Sequence, residues 1–148
     1  METRRQVLKI LVVDDNDDDL LLLQESLRDD PAVDVVWVAR DGEEALAFLR
    51  GQPEPSCARR PGLVLMDINM PRLNGFEVLS AMKADPELRS IPVVMLTTSH
   101  RDADVLNAYE RGACSYIAKP VSFERLQVLA GHLVNYWSNV VRLPFHEE

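Results

Sequence analysis

Four short apolar stretches of this chain each run into residues able to do polar chemistry. Val7 to Val13 leads into Asp14-Asp15, Leu63 to Met66 into Asp67, Ile91 to Leu96 into Thr97-Thr98-Ser99, and Cys114 to Ala118 into Lys119-Pro120. Three carboxylates in one cleft repel unless they are protonated or bridged by a cation. Oxygen donors with no neighbouring His or Cys favour Mg²⁺ or a similar hard ion over zinc. Lys119 supplies a point charge for a phosphate or a carboxylate, and Thr97 a hydroxyl donor. Asp67, alone at the end of its stretch, is placed to be a carboxylate nucleophile of the aspartyl-phosphate kind. The chemistry would be in-line attack on a phosphoryl group whose charge a metal ion and Lys119 neutralise.

Each residue alone has a plainer explanation. Asp14 and Asp15 fit a helix cap, Asp67 an Asx turn, Thr97 a strand-end hydroxyl and Lys119 a solvated surface lysine. Their joint placement overturns those readings, and it depends on the elements that carry them. The apolar stretches are short, rich in Val, Ile and Leu and largely unalternated, as parallel strands covered on both faces should be. Val33 to Ala39 alternates less cleanly and is expected to be a fifth strand near a sheet edge. Helical spacing fills the intervals: Leu20, Leu23 and Leu27; Ala45, Phe48 and Leu49; Phe76, Leu79 and Met82; Val105, Leu106 and Tyr109 up to Gly112. Ser122 caps a last helix with Leu126, Leu129, Leu133 and Trp137. Strand and helix alternating in this way predict a doubly wound α/β fold with a parallel sheet. Its strand carboxyl ends share one edge, where such folds hold their ligands.

Composition narrows the class. Over 148 residues, 16 Lys plus Arg against 24 Asp plus Glu give a formal charge of −8. One domain fits that length, and an acidic chain is a poor partner for nucleic acid or anionic membrane. Cys57 and Cys114 have no metal-site spacing. No stretch approaches the about 20 apolar residues of a membrane span, and Met1 to Arg5 does not open a secretory leader. A soluble, cytoplasmic chain is expected. Gly51 to Gly62, with Pro53, Pro55 and Pro61, is expected to be a surface connection.

Taken together, Leu11-Val12-Val13-Asp14-Asp15-Asn16, Leu65-Met66-Asp67-Ile68-Asn69-Met70-Pro71 with Gly75, Leu96-Thr97-Thr98-Ser99 and Tyr116-Ile117-Ala118-Lys119-Pro120 are specific. They resemble the receiver domain of bacterial two-component response regulators, over roughly residues 7 to 134 of a single domain spanning 1–148, with 135–148 as a C-terminal extension. The resemblance implies a flavodoxin-like five-stranded sheet in the order 2-1-3-4-5. It implies that Asp67 accepts a phosphoryl group from a sensor histidine kinase. Asp14, Asp15, Asp67 and the backbone carbonyl of Asn69 would hold Mg²⁺. Thr97 would bond the phosphoryl oxygen and draw its loop inward, Tyr116 would be the aromatic switch, and Lys119 would contact the phosphoryl oxygen.

The C-terminal part resembles the single-domain regulators paired with bacterial phytochromes, through Tyr136-Trp137, Val140 to Pro144, the Pro-rich loop and the Thr97-Thr98-Ser99 triplet. That likeness implies a phytochrome-type kinase. It also implies a homodimer through the fourth helix, fifth strand, fifth helix and C-terminal extension. The plainer alternative is that Trp137 and Val141 finish the chain's own core. Two departures stand out: Thr98 occupies a position where many receivers have Ala or Gly, and Asn16 to Asp19 is more acidic than a metal site requires. Some of those acids are expected to be solvated caps.

Three rivals are weaker. A Mg²⁺-dependent phosphohydrolase commonly has a second acid two residues after its nucleophile, and here that residue is Asn69, which has no proton to give. A flavin or nucleotide carrier would want a Gly-rich first loop in place of Asp14 to Asp19. A degenerate scaffold would not keep all five site residues. The expected function is a phosphorylation-dependent switch, not an enzyme, acting by protein contact or onward phosphotransfer.

Overall fold

The computed structural model describes residues 7–51 and 60–144. Five strands, β1 (Leu8–Val13), β2 (Val33–Ala39), β3 (Leu63–Met66), β4 (Val93–Thr97) and β5 (Ser115–Ala118), form one parallel sheet in the order β2-β1-β3-β4-β5. Helices α1 (Asp17–Arg28), α2 (Gly42–Leu49), α3 (Gly75–Ala84), α4 (Asp102–Glu110) and α5 (Phe123–Asn135) connect and follow them. This is the flavodoxin-like doubly wound order that the sequence predicts, with β2 on an edge as expected.

Alternation along the strands divides the core between the two faces of the sheet. Leu11, Val13, Val64, Met66, Val93 and Met95 pack with Ala45, Leu46, Val78, Leu79, Met82 and Ala108, from α2, α3 and α4. Leu8, Ile10, Val12, Leu63, Leu65, Val94 and Leu96 face the other way, onto Leu20, Leu23 and Leu27 of α1 and Leu126, Ala130, Leu133 and Val134 of α5.

Local chemistry starts four of the helices. Asn16, Asp41 and Ser122 each accept a backbone N–H three residues on, and Asn74 with Glu77 forms a reciprocal capping box. The start of α4 at Arg101 has no side-chain cap bond. Gly112 follows α4 with φ 104°, a left-handed conformation open to glycine.

Three details differ from expectation. Strand β4 begins at Val93, not Ile91, because Pro92 has no N–H to give the ladder. The apolar spacing of Val105, Leu106 and Tyr109 does not mark the buried side of α4: Leu106 is 61% exposed and the buried residue is Ala108. Beyond α5 the chain makes a π-helical turn, Tyr136–Val140, closed by Val141 N–H donating to Tyr136 O at 2.9 Å. Trp137, 6% exposed, and Leu143 join the core under α1 and α5, while Val140 is exposed. The first part of the extension therefore finishes this chain's own core. Pro53, Pro55, Cys57 and Phe145 lie outside the described residues.

Trp137→Ala should lower the unfolding free energy by roughly 3–5 kcal/mol, through lost burial and the cavity left behind. Urea unfolding at several protein concentrations checks this. A loss under about 1 kcal/mol would mean that the ring is not packed as described.

Candidate functional site

Parallel register brings the strand ends together. Val13 pairs with Met66, Met66 with Met95, and Thr97 with Ala118. The backbone ladder runs one residue further: Asp14 N–H donates to Ala39 O at 3.1 Å, Asp67 N–H to Val13 O at 2.9 Å and Lys119 N–H to Thr97 O at 2.7 Å. Each of these site residues thus hangs from backbone that the sheet holds.

Asp14, Asp67, Thr97 and Lys119 are buried, and Asp15 is exposed. Asp14, Asp15 and Asp67 each offer a carboxylate oxygen, all within 4.8 Å of one another. Lys119 Nζ donates to Asp14 Oδ2 at 2.5 Å and to Asp19 Oδ2 at 2.9 Å, and lies 3.9 Å from Asp67 Oδ2. Asp14 Oδ1 accepts the Asn16 N–H at 2.9 Å, and Asp67 Oδ1 accepts the Ile68 N–H at 2.8 Å. The sequence-predicted Asp14, Asp15, Asp67 and Lys119 therefore meet.

Electrostatics follow from that burial. Burial pushes the Asp14 carboxyl up to about 6, against the opposing pull of the Lys119 and Asn16 hydrogen bonds, and Asp67 adds to the rise. Burial also works against the Lys119 ammonium, yet its bonds to Asp14 and Asp19 and the charge of Asp67 lift it above its ordinary value. Asp14, Asp19 and Asp67 lie within 3.9 Å of the Lys119 ammonium, and Asp15 adds a further carboxylate beside Asp14 and Asp67, a deficit of positive charge. A set of clustered oxygen donors without imidazole or thiolate fits a hard divalent cation.

The neighbouring loops are held in different ways. Adding a Cβ to Gly75 would place it 2.2 Å from Asp67 O, so the loop after β3 folds back tightly enough to need glycine there. Arg72, in that loop, has φ 68° and pairs with Asp41, the α2 cap, at 2.6 Å. Its backbone strain sits between the site and α2. On the other side, Thr97 Oγ1 accepts the Ser99 N–H over 3.5 Å, and Ser99 Oγ donates to Asp104 Oδ2 at 2.6 Å. Tyr116 Oη donates to Ser99 O at 3.0 Å, so its half-buried ring ties β5 to the loop after β4. Asn69 and Thr98 are exposed beside the site.

The family model described as the response regulator receiver domain matches residues 10–130. The chain belongs to that family. Among its relatives, response regulator Rcp1 of Synechocystis is 38% identical over 135 residues, 91% of this chain and 92% of that protein. The crystal structure of Rcp1 in its Mn²⁺-bound form superposes with TM-score 0.84 over 93% of this receiver and 99% of that chain. The phosphorylated cyanobacterial phytochrome response regulator RcpA is 38% identical and superposes with TM-score 0.88, over 93% of this receiver and 99% of its own chain. The bacteriophytochrome response regulator AtBRR, 35% identical, gives 0.69 over 97% and 99%.

Sequence reasoning missed one residue of this receiver's site. Asp19 belongs to the acidic run in which some residues are expected to be solvated caps, and it is half-buried on Lys119. The available signal was its position: three residues past the Asn16 cap, the first helical turn brings the chain back over the end of β1.

The folded chain holds the Asp14 proton more tightly than the unfolded chain does. That contribution to stability is complete below the ordinary carboxylate range and is lost as pH rises through about 6. Between about pH 4 and about pH 7, in chelator, the native chain should lose on the order of 2–3 kcal/mol relative to Asp14→Asn. Parallel pH profiles of urea unfolding for the two proteins would show that Asp14 is not the group.

Proposed function

We propose that this receiver is the phospho-acceptor of a two-component relay. Asp67 takes a phosphoryl group from a sensor histidine kinase, of phytochrome type, and the protein signals by contact or by passing the group onward. The observation that carries this reading is the meeting of Asp14, Asp15 and Asp67 within 4.8 Å, with Lys119 Nζ 3.9 Å from Asp67. The likeness to a phosphorylated phytochrome response regulator supports the kinase class.

In this reading an Asp67 carboxylate oxygen forms the bond to phosphorus as the donor's bond to phosphorus breaks, its electron pair leaving with the donor. Asp14, Asp15, Asp67 and the Asn69 backbone carbonyl would hold Mg²⁺. The bound ion would supply neutralisation of phosphoryl charge. The Mn²⁺-bound form of the relative Rcp1 supports a divalent ion. Lys119 would donate to a phosphoryl oxygen, as would Thr97, drawing in the loop that also carries Ser99. Tyr116 would register that shift, since its hydroxyl bonds Ser99 O.

Burial of α4 rests on Ala108, and β5 is only partly covered, so these elements are the least expensive to move. Turnover as a phosphohydrolase is not favoured, with Asn69 where an acid would be needed; only the protein's own phosphorylation and dephosphorylation would be catalysed. We read residues 1–148 as one cytoplasmic receiver, with core 7–134 and extension 135–148. Among the described residues no helix is long and apolar enough to cross a membrane.

Incubation with Mg²⁺ and acetyl phosphate should give an acid-stable, base-labile adduct on the native chain and none on Asp67→Asn. An undiminished adduct in the variant, or none on the native chain, refutes the assignment. A homodimer through α4, β5, α5 and the extension is the second part of the reading, supported by exposed Leu106, Val128 and Val140 on those elements. Cutting the chain after Val134 would remove Trp137 and Leu143 from the core, so point changes are the cleaner probe. Leu106→Asp with Val128→Asp should shift sedimentation towards monomer while leaving the unfolding midpoint near native. An unshifted dimer would place the interface elsewhere.

A further inference from the structure

Lys119 has two carboxylate anchors, and only one belongs to the group that could hold a metal ion. Asp14 clusters with Asp15 and Asp67; Asp19 does not. An ammonium carries three protons. Asp14 and Asp19 accept hydrogen bonds from Nζ at 2.5 Å and 2.9 Å, whereas Asp67 at 3.9 Å is beyond hydrogen-bond length. A lysine head rides on a flexible four-carbon stem, so one acceptor leaves it free to swing. Two acceptors, one at the end of β1 and one in the first turn of α1, define where it sits and leave one N–H for a further acceptor.

Asp19 is itself held. Its backbone N–H donates to Asn16 Oδ1 at 3.0 Å, the bond that caps α1. Its neighbours Asp17 and Asp18 are exposed, so the favourable interaction of acid with the helix start is available without burying Asp19. The helix dipole therefore does not explain why this one carboxylate is turned onto the lysine.

We propose that Asp19 is a positioning residue for Lys119. It keeps the ammonium in place when a metal ion draws on the Asp14 carboxylate, so that the remaining N–H meets the phosphoryl oxygen on Asp67. The proposal rests on the reading of Asp67 as phospho-acceptor. Asp14 already gives its two oxygens to Asn16 and Lys119 and would have to share them with a bound ion; Asp19 serves the lysine alone among the side chains of the site.

The test compares the native chain with Asp19→Ala, Asp19→Asn and, as a control on the same turn, Asp18→Ala. Two quantities are measured: the rate of adduct formation from acetyl phosphate at saturating Mg²⁺, and the ¹H–¹⁵N signal of the Lys119 ammonium without any phosphodonor. Asp19→Ala should slow adduct formation roughly tenfold, as expected when a reacting partner loses its orientation. Asp19→Asn should stay within about threefold of native, because the amide oxygen still accepts the hydrogen bond. Asp18→Ala should match native. The Lys119 signal should broaden in Asp19→Ala and persist in Asp19→Asn. A native rate in Asp19→Ala, or an Asn variant as slow as the Ala variant, overturns the proposal. If the native chain forms no adduct, the phospho-acceptor reading is what fails. The ammonium signal still judges the anchor in that case, since an unchanged signal in Asp19→Ala would show that Asp19 does not hold Lys119.

Discussion

Burying Asp14 beside Asp67 is unfavourable, and one ammonium makes it tolerable. A carboxylate removed from water loses its solvation, and a second carboxylate nearby adds repulsion. Lys119 offsets part of both by donating to Asp14 and Asp19 and standing 3.9 Å from Asp67. The compensation is incomplete, because burial still lifts Asp14 to about 6. An incompletely compensated cluster of oxygen donors is what gives a divalent cation something to stabilise. A site balanced by its own residues would have less affinity for such an ion.

The sheet makes this arrangement possible by fixing the origins of the charged side chains. Parallel pairing puts the ends of β1, β3, β4 and β5 at one edge, and backbone bonds continue past the last paired residues to Asp14, Asp67 and Lys119. The interior strands β1, β3 and β4 are covered on both faces, so their positions resist displacement. The lighter anchoring is on the other side. There α4 begins without a side-chain cap, buries Ala108 and little else, and is joined to β5 and the loop after β4 through Tyr109, Tyr116 and Ser99. A rigid charged site next to a lightly anchored helix and strand is the arrangement a two-state signalling domain requires.

Much of this was legible residue by residue. Unalternated Val, Ile and Leu marked the strands, and Asn16, Asp41, Asn74 and Ser122 stand where the helices start. Legibility failed where a residue's role depends on what lies across space. Leu106 and Tyr109 have the spacing of an inner helix face, yet both are exposed and the buried residue of α4 is Ala108. Trp137 and Val141 suited an interface or a core, and only the path of the π-helical turn brings Trp137, together with Leu143, into the core with α1 and α5.

The acids divide along the same line. That Asp14, Asp15, Asp67, Thr97 and Lys119 share one edge follows from the order of apolar stretches and polar ends, because parallel connection of alternating strands and helices permits little else. That Asp19 and not Asp17 or Asp18 turns inward was signalled by position alone, not by residue type. All three have the same side chain and the same helix start, and what separates them is the rotation of α1 about its axis as Leu20, Leu23 and Leu27 pack against the sheet. Local pattern decides which residues are available to a site. Packing of whole elements decides which of them reach it.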